Sequence, residues 1–150
     1  MGRRYFKVIQ GVKTLAVVNT PEAFLISALT NLPEGSKVYI VTADMDLNQL
    51  NLDANNAYAY ACMKKGDQSS STNTRPNAPG YVPGTAVEMY RVAQSHFSGG
   101  NPGKTRLPAG MCEVPVTDGT ASITIAISQT GATASLQQVY YHATLFVIEP

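Results

Sequence analysis

The sequence is short of ionised side chains. Of 150 residues, 14% are Asp, Glu, Lys or Arg, against about 25% in an ordinary soluble protein. Eleven basic residues against ten acidic ones leave a formal charge of +1. No global field steers the chain toward a polyanion or an anionic lipid surface, so neither specific nucleic acid nor a membrane is expected as a partner. Tryptophan is absent. No apolar run reaches the roughly 18 residues a membrane-crossing helix needs, and a water-soluble chain is expected. Lys7, Gln10 and Lys13 interrupt the apolar core that a secretory leader would require, so synthesis and retention in a cytoplasm are expected. The low Lys and Glu content also excludes a coiled coil, and the many β-branched residues exclude a mainly disordered chain.

Cysteine and histidine are scarce. Cys62 and Cys112 are too few for a disulfide framework, and each sits among apolar neighbours as a buried free thiol would. His96 and His142 lack metal-ligand spacing, so no zinc centre is expected, and His142 reads as a packed or rim residue. No Gly-x-Ser-x-Gly elbow or cysteine-nucleophile signature occurs, and no cofactor is implied. Ser98-Gly99-Gly100-Asn101-Pro102-Gly103-Lys104-Thr105 approaches a phosphate-binding loop. Arg106-Leu107-Pro108-Ala109-Gly110 cannot continue the helix such a loop must feed, so it reads as a flexible connection. Asp44, Asp46 and Asn48 alternate as in the opening of a calcium loop. Gln49 stands where the turn needs glycine, and Asn55 where a bidentate Glu should close the site. A strand end with solvated acids is the simpler reading, with a weak calcium site on a sandwich rim as the alternative. A pair of carboxylates for glycoside hydrolysis depends on distances a sequence does not give.

What the chain does have is frequent punctuation and period-two alternation. Twelve glycines and nine prolines separate segments that read as strands at Arg4–Gln10, Thr14–Asn19, Lys37–Ala43, Ala57–Lys64, Ala86–Ala93, Met111–Thr117, Ala121–Ser128 and Gln138–Ile148. Ser122–Ser128 puts Ile123, Ile125 and Ile127 on one face and small or polar residues on the other, the pattern of a half-buried strand. The final strand is apolar on both faces toward its end, as for a central or interface-covered strand. Thr20-Pro21-Glu22 could open a helix over Ala23–Thr30. The same residues could form a strand, and a strand paired to Lys37–Ala43 by a short hairpin through Asn31–Ser36 is favoured in an otherwise all-β chain. Two stretches, Gly66–Gly84 and Ser98–Gly110, read as long loops. In the first, Tyr81 and Val82 are apolar enough to pack on their own sandwich end or on a neighbouring molecule.

Between Asp118 and Glu149 no Lys, Arg, Asp or Glu occurs. Exposed edge strands normally carry such residues to prevent edge-to-edge pairing. These strands are therefore central in their sheets, covered by other copies of the chain, or both. The Ala28–Val41 segment, with its Leu32-Pro33-Glu34-Gly35-Ser36 turn between strands, is similar to immunoglobulin-like and jelly-roll sandwiches. Together with the low charge, the Ser/Thr/Asn-rich loops and the aliphatic last strand, it resembles small virion proteins of tailed bacteriophages, such as capsid decoration proteins and other head or tail components. That resemblance implies a structural role in many copies, with other copies and a larger shell or tail protein as partners and the virion as location. No catalytic residue follows from it.

The expectation is one domain over residues 1–150, an all-β sandwich of roughly eight or nine strands with two long loops, and not an enzyme. Tyr81, Val82, Arg3 and Arg4 are the candidate interface residues, the arginines leading a basic segment with Lys7 and Lys13. The alternative is a carbohydrate-binding module of a receptor-binding fibre, which requires exposed Tyr and the Asp44–Asn48 rim to meet in one groove.

Overall fold

The computed structural model describes residues 2–16, 20–48, 58–70, 91–98, 101–105, 112–130 and 138–150. Among them are ten strands and no helix: β1 (Arg4–Thr14), β2 (Glu22–Leu29), β3 (Lys37–Asn48), β4 (Tyr58–Lys65), β5 (Arg91–Ser98), β6 (Asn101–Thr105), β7 (Cys112–Val114), β8 (Val116–Thr117), β9 (Thr120–Thr130) and β10 (Gln138–Ile148). They form two antiparallel sheets. One has the order β1-β10-β3-β7, the other β2-β9-β4-β5-β6 with β8 beside β9. The pairs β1·β10, β2·β9, β3·β7 and β4·β5 nest inside one another. The chain is thus one long hairpin wound so that successive pairs alternate between sheets, which is the jelly-roll topology rather than the immunoglobulin one.

Several segments differ from their sequence reading for reasons this winding supplies. The Arg4–Gln10 and Thr14–Asn19 segments do not make two strands: β1 runs unbroken through Gly11 to Thr14, matched residue for residue from Arg4↔Ile148 to Thr14↔Gln138. Ala23–Thr30 is a strand, but it does not form a hairpin with β3. β2 pairs with β9, and the intervening turn crosses from one sheet to the other. Gly35 (φ 84°) supplies the positive φ of that turn, closed by Ser36 N–H donating to Pro33 O at 3.1 Å. The crossing is pinned where Leu32 N–H donates to Gly119 O at 2.9 Å. Asp118 and Gly119, both at positive φ, are the two-residue turn that joins β8 to β9. The second expected loop is interrupted by β6, where Lys104 and Thr105 pair with Ser95 and Gln94. Gly103-Lys104-Thr105 is therefore sheet and not a phosphate loop.

The core lies between the sheets. Val38, Ile40, Val139, Ala143, Leu145 and Val147 from one sheet meet Ala61, Met63, Ile123, Ile125 and Ile127 from the other. Each fully buried Ile or Leu contributes roughly 1.5–3 kcal/mol. β9 is not half-buried as its alternation suggests. Thr124 and Ala126, on its outer face, are as inaccessible as the three isoleucines, and so are Cys62 and Lys64 beside them on β4. Part of the cover is local: Thr124 Oγ donates to Gly66 O and accepts from Gln68 N–H, both at 2.9 Å. The segment after β4 is thereby folded back over the sheet. Burial pulls the Lys64 ammonium below its ordinary pKa.

Both strands of the uncharged C-terminal stretch are central, β9 between β2 and β4 and β10 between β1 and β3. Edge protection sits on the actual edges. β7 is three residues long, β6 contains Pro102, and β1 carries Lys7 and Lys13 on its inward-facing side at the open margin. There the Lys13 ammonium stands 5.5 Å from the centre of the Phe24 ring.

One irregularity decides the polarity of an entire face. β10 pairs with Ile40 and then with Thr42, leaving Val41 as an extra residue. Before this bulge the odd-numbered residues of β3 face outward; after it the even-numbered ones do. Met45 is therefore buried (2% exposed), and Asp44 and Asp46 face out. Inserting one alanine between Thr42 and Ala43 would drive both carboxylates toward the core at several kcal/mol each, comparable with the whole stability of a small domain, whereas deleting Val41 removes the extra residue and leaves the others on their faces. The insertion variant is expected to lose its cooperative urea transition, while deletion of Val41 keeps it, as followed by circular dichroism.

Candidate functional site

The outer face of β1-β10-β3 is the most distinctive surface of the described residues. An antiparallel sheet usually turns a polar face to water, but here Phe6 is 66% exposed, Val8 51%, Val12 44% and Tyr140 45%. The Phe6 and Phe146 rings lie 5.1 Å apart, tilted by 38°. The register sets the order of residues along this face. Arg4, Ile148 and Lys37 form one end, followed by Phe6, Phe146 and Tyr39, and then by Val8, Thr144 and Thr42. Gln10, His142 and Asp44 come next, and Val12, Tyr140 and Asp46 close the series. The face is basic at one end, apolar in the middle and acidic at the other end.

At the acidic end a shallow depression of about 490 Å3 is lined by Gln10, Val12, Asp44, Asp46, Tyr140 and His142. Its floor includes Gly11. A Cβ there would lie 2.5 Å from Tyr141 Oη, because the Tyr141 ring crosses the strand at this point, and only glycine leaves room for it. Burial raises the Tyr141 hydroxyl above its ordinary pKa. The depression joins an aromatic face to two carboxylates, an imidazole and an amide. That set can receive a cation or the hydroxyls of a polyol.

The structure separates the basic leading residues. Arg3 is ion-paired with Glu149 (Nη2 to Oε2 2.7 Å), its Nε–H donates to the same oxygen at 2.8 Å, and it stands 5.7 Å from the centre of the Tyr5 ring. Tyr5 Oη donates to the other carboxylate oxygen at 2.9 Å, and Glu149 N–H donates to Arg3 O at 2.8 Å. This clamp fastens the start of β1 to the end of β10. Arg4 faces outward with Lys37, whereas Lys7 and Lys13 belong to the opposite side of the strand. The four cations therefore do not form one patch, because neighbours along a strand alternate between faces. Tyr81 and Val82 lie outside the described residues.

Asp44, Asp46 and Asn48 belong to the continuous strand β3 rather than to a loop. Successive outward residues of a strand are about 7 Å apart, so Asp44 and Asp46 do not make the turn of a calcium loop, and residues 49–57, on which a rim site would draw, lie outside the described residues. Met45 N–H donates to Asp44 Oδ1 at 3.1 Å. Both cysteines are free thiols, Cys62 buried as expected and Cys112 only half-buried on the short β7. His142 is exposed on the outer face, on the rim of the depression. Sequence reasoning missed Phe6, Val8 and Val12 as surface residues and Glu149 as the clamp. A signal was present: Tyr5 and Ile9 occupy one parity of β1 while Phe6, Val8 and Val12 occupy the other, so the strand is apolar on both sides.

No family model matches the chain, and no curated protein matches it. Among solved structures it is similar to the crystal structure of the infectious bursal disease virus VP2 subviral particle, with a TM-score of 0.36 and 11% identity over 99% of this chain. It is also similar to the structure of the infectious bursal disease virus Gx strain, with a TM-score of 0.31 and 12% identity, again over 99% of this chain. The chain spans 32% of the length of each.

The clamp makes a pH prediction. Hydrogen bonds from Arg3 first and Tyr5 second hold the Glu149 carboxyl below its ordinary pKa. Its contribution to stability is therefore complete above the unfolded-state value of about 4.3 and is lost as pH falls through the lower folded value. The urea midpoint is expected to fall on acidification below about pH 4.3, and Glu149→Gln should flatten that limb while lowering the midpoint at neutral pH.

Proposed function

We propose that this chain is a structural protein of a virion that works in multiple copies, as a capsid decoration protein or another head or tail component. In this reading it is made in the host cytoplasm, resides in the virion, performs no catalysis, and has other copies of itself and a larger shell or tail protein as partners. Jelly rolls serve as viral shell domains, as lectins and as cupins. Among the described residues the interior is packed with aliphatic side chains, which favours the surface as the working part. The observation that carries the reading is the exposed row Phe6, Val8, Val12 and Tyr140 on an outer sheet face, since contiguous exposed apolar surface marks an association site.

A second reading is supported by the meeting of Tyr140 with Asp44 and Asp46 in one depression. This is the arrangement that a carbohydrate-binding module of a receptor-binding fibre requires. Light scattering across a wide concentration range, with electron microscopy of the concentrated sample, separates the two. Assembly predicts a mass that rises to defined multiples and regular particles or rings, and Phe6→Ser with Val8→Ser should reduce that association. A chain that stays monomeric at every concentration would refute the assembly reading. If it also binds glycans in a manner abolished by Tyr140→Ala, the module reading stands instead.

A further inference from the structure

The geometry points to a specific self-complementary contact: the outer face of β1-β10-β3 packs on the same face of a second copy, related by a two-fold axis through Val8 and Thr144. The inference deepens the assembly reading and rests on it, adding which surface is used and in what symmetry.

The charge order along the face is the main argument. Among the described residues, the outward ionised side chains of β1, β10 and β3 are Arg4 and Lys37 at one end and Asp44 and Asp46 at the other. A two-fold axis lying between the faces and perpendicular to the strands reverses their direction and keeps each strand opposite its own copy. Lys37 then stands opposite Asp46 of the second copy, and Tyr39 opposite its Asp44. Arg4 and Ile148 come over its Val12 and Tyr140, where the depression of about 490 Å3 is open to receive the guanidinium against the Tyr140 ring. Phe6 and Phe146 meet Gln10 and His142, and Val8 meets Val8. Every basic group thus finds an acidic end, and the exposed apolar row lies at the centre, as in a specific interface with an apolar middle and a polar rim. A two-fold axis along the strands would instead exchange β1 and β3 and place Lys37 on Arg4 of the second copy, which like-charge repulsion disfavours.

The area suffices. Three strands about 4.8 Å apart and about 3.4 Å per residue along the strand give a face of about 500 Å2 per copy. Two copies bury about 1,000 Å2, the lower bound for a specific interface. Sheets stacked face to face cross at about −30°, which brings Arg4 and Lys37 both within reach of the acidic end. Glu113 on the edge strand β7 pairs beside Tyr39 and lies outside the three-strand overlap.

The test uses charge reversal at two exposed positions. Lys37→Asp and Asp46→Lys should each weaken self-association at least about tenfold, because each places two like-charged pairs in the contact. Circular dichroism and thermal melting report whether each variant keeps its fold. Mixing the two variants should restore association as a one-to-one heterodimer, since both contacts then join opposite charges, and sedimentation velocity reads the mass. If the wild type associates but neither variant weakens it, or if the mixture fails to pair, the contact is wrong while multi-copy assembly stands. If the wild type never associates, both readings fall together. Should either variant fail to fold, the loss of wild-type association between low and high salt decides the matter, and salt-independent association would overturn the contact.

Discussion

The placement of β10 between β1 and β3 controls what this molecule buries and what it shows. Its register with β1 runs without a slip, and its register with β3 slips once, at Val41. Strand side chains alternate with period two, so these two facts assign every residue of three strands to the core or to water. Val139, Ala143, Leu145 and Val147 point inward, while Tyr140 and His142 point outward. Because the bulge absorbs Val41, two carboxylates and a methionine in consecutive positions end on the faces their chemistry requires. The Arg3–Glu149–Tyr5 clamp closes the same strand pair at its end, where fraying would otherwise begin.

The two sheets have different exteriors. The outer surface of β9 and β4 is occluded at Cys62, Lys64, Thr124 and Ala126, so the low charge of β9 follows from its position within one molecule. The outer surface of β1 and β10 keeps large apolar groups in water. Within the described residues of the uncharged C-terminal stretch, only the outward face of β10 therefore offers apolar surface for association. That face combines exposed aromatics with segregated charge, a combination that supports both packing and orientation.

Much of the architecture was legible in the chain. Period-two alternation between Gly and Pro punctuation gave the all-β class, and the span Gln138–Ile148 matches β10 residue for residue. The lack of charge after Asp118 left two explanations, central strands or faces covered by other copies, and β9 and β10 are central. The hairpin expected between β2 and β3 was not legible, because a turn such as Pro33–Ser36 closes in the same way whether its flanking strands share a sheet or cross between two. The Asp44–Asn48 run likewise reads as a loop opening or as a strand end until its pairing with β10 is known. The depression was foreseen only as a condition, that exposed Tyr and this acidic run should meet, and it is met through Tyr140.

The sequence by itself determined the strand-forming segments, the apolar interior and the shortage of charge, since these depend on side-chain type and local period. Only the tertiary structure decided the jelly-roll winding, the separation of Arg3 from Arg4, and the face that carries Arg4, Lys37, Asp44 and Asp46 in that order. Those features depend on which strands pair and in what register, and pairing between segments as distant as β1 and β10 is set by the packing of the whole chain and not by the residues of either strand alone.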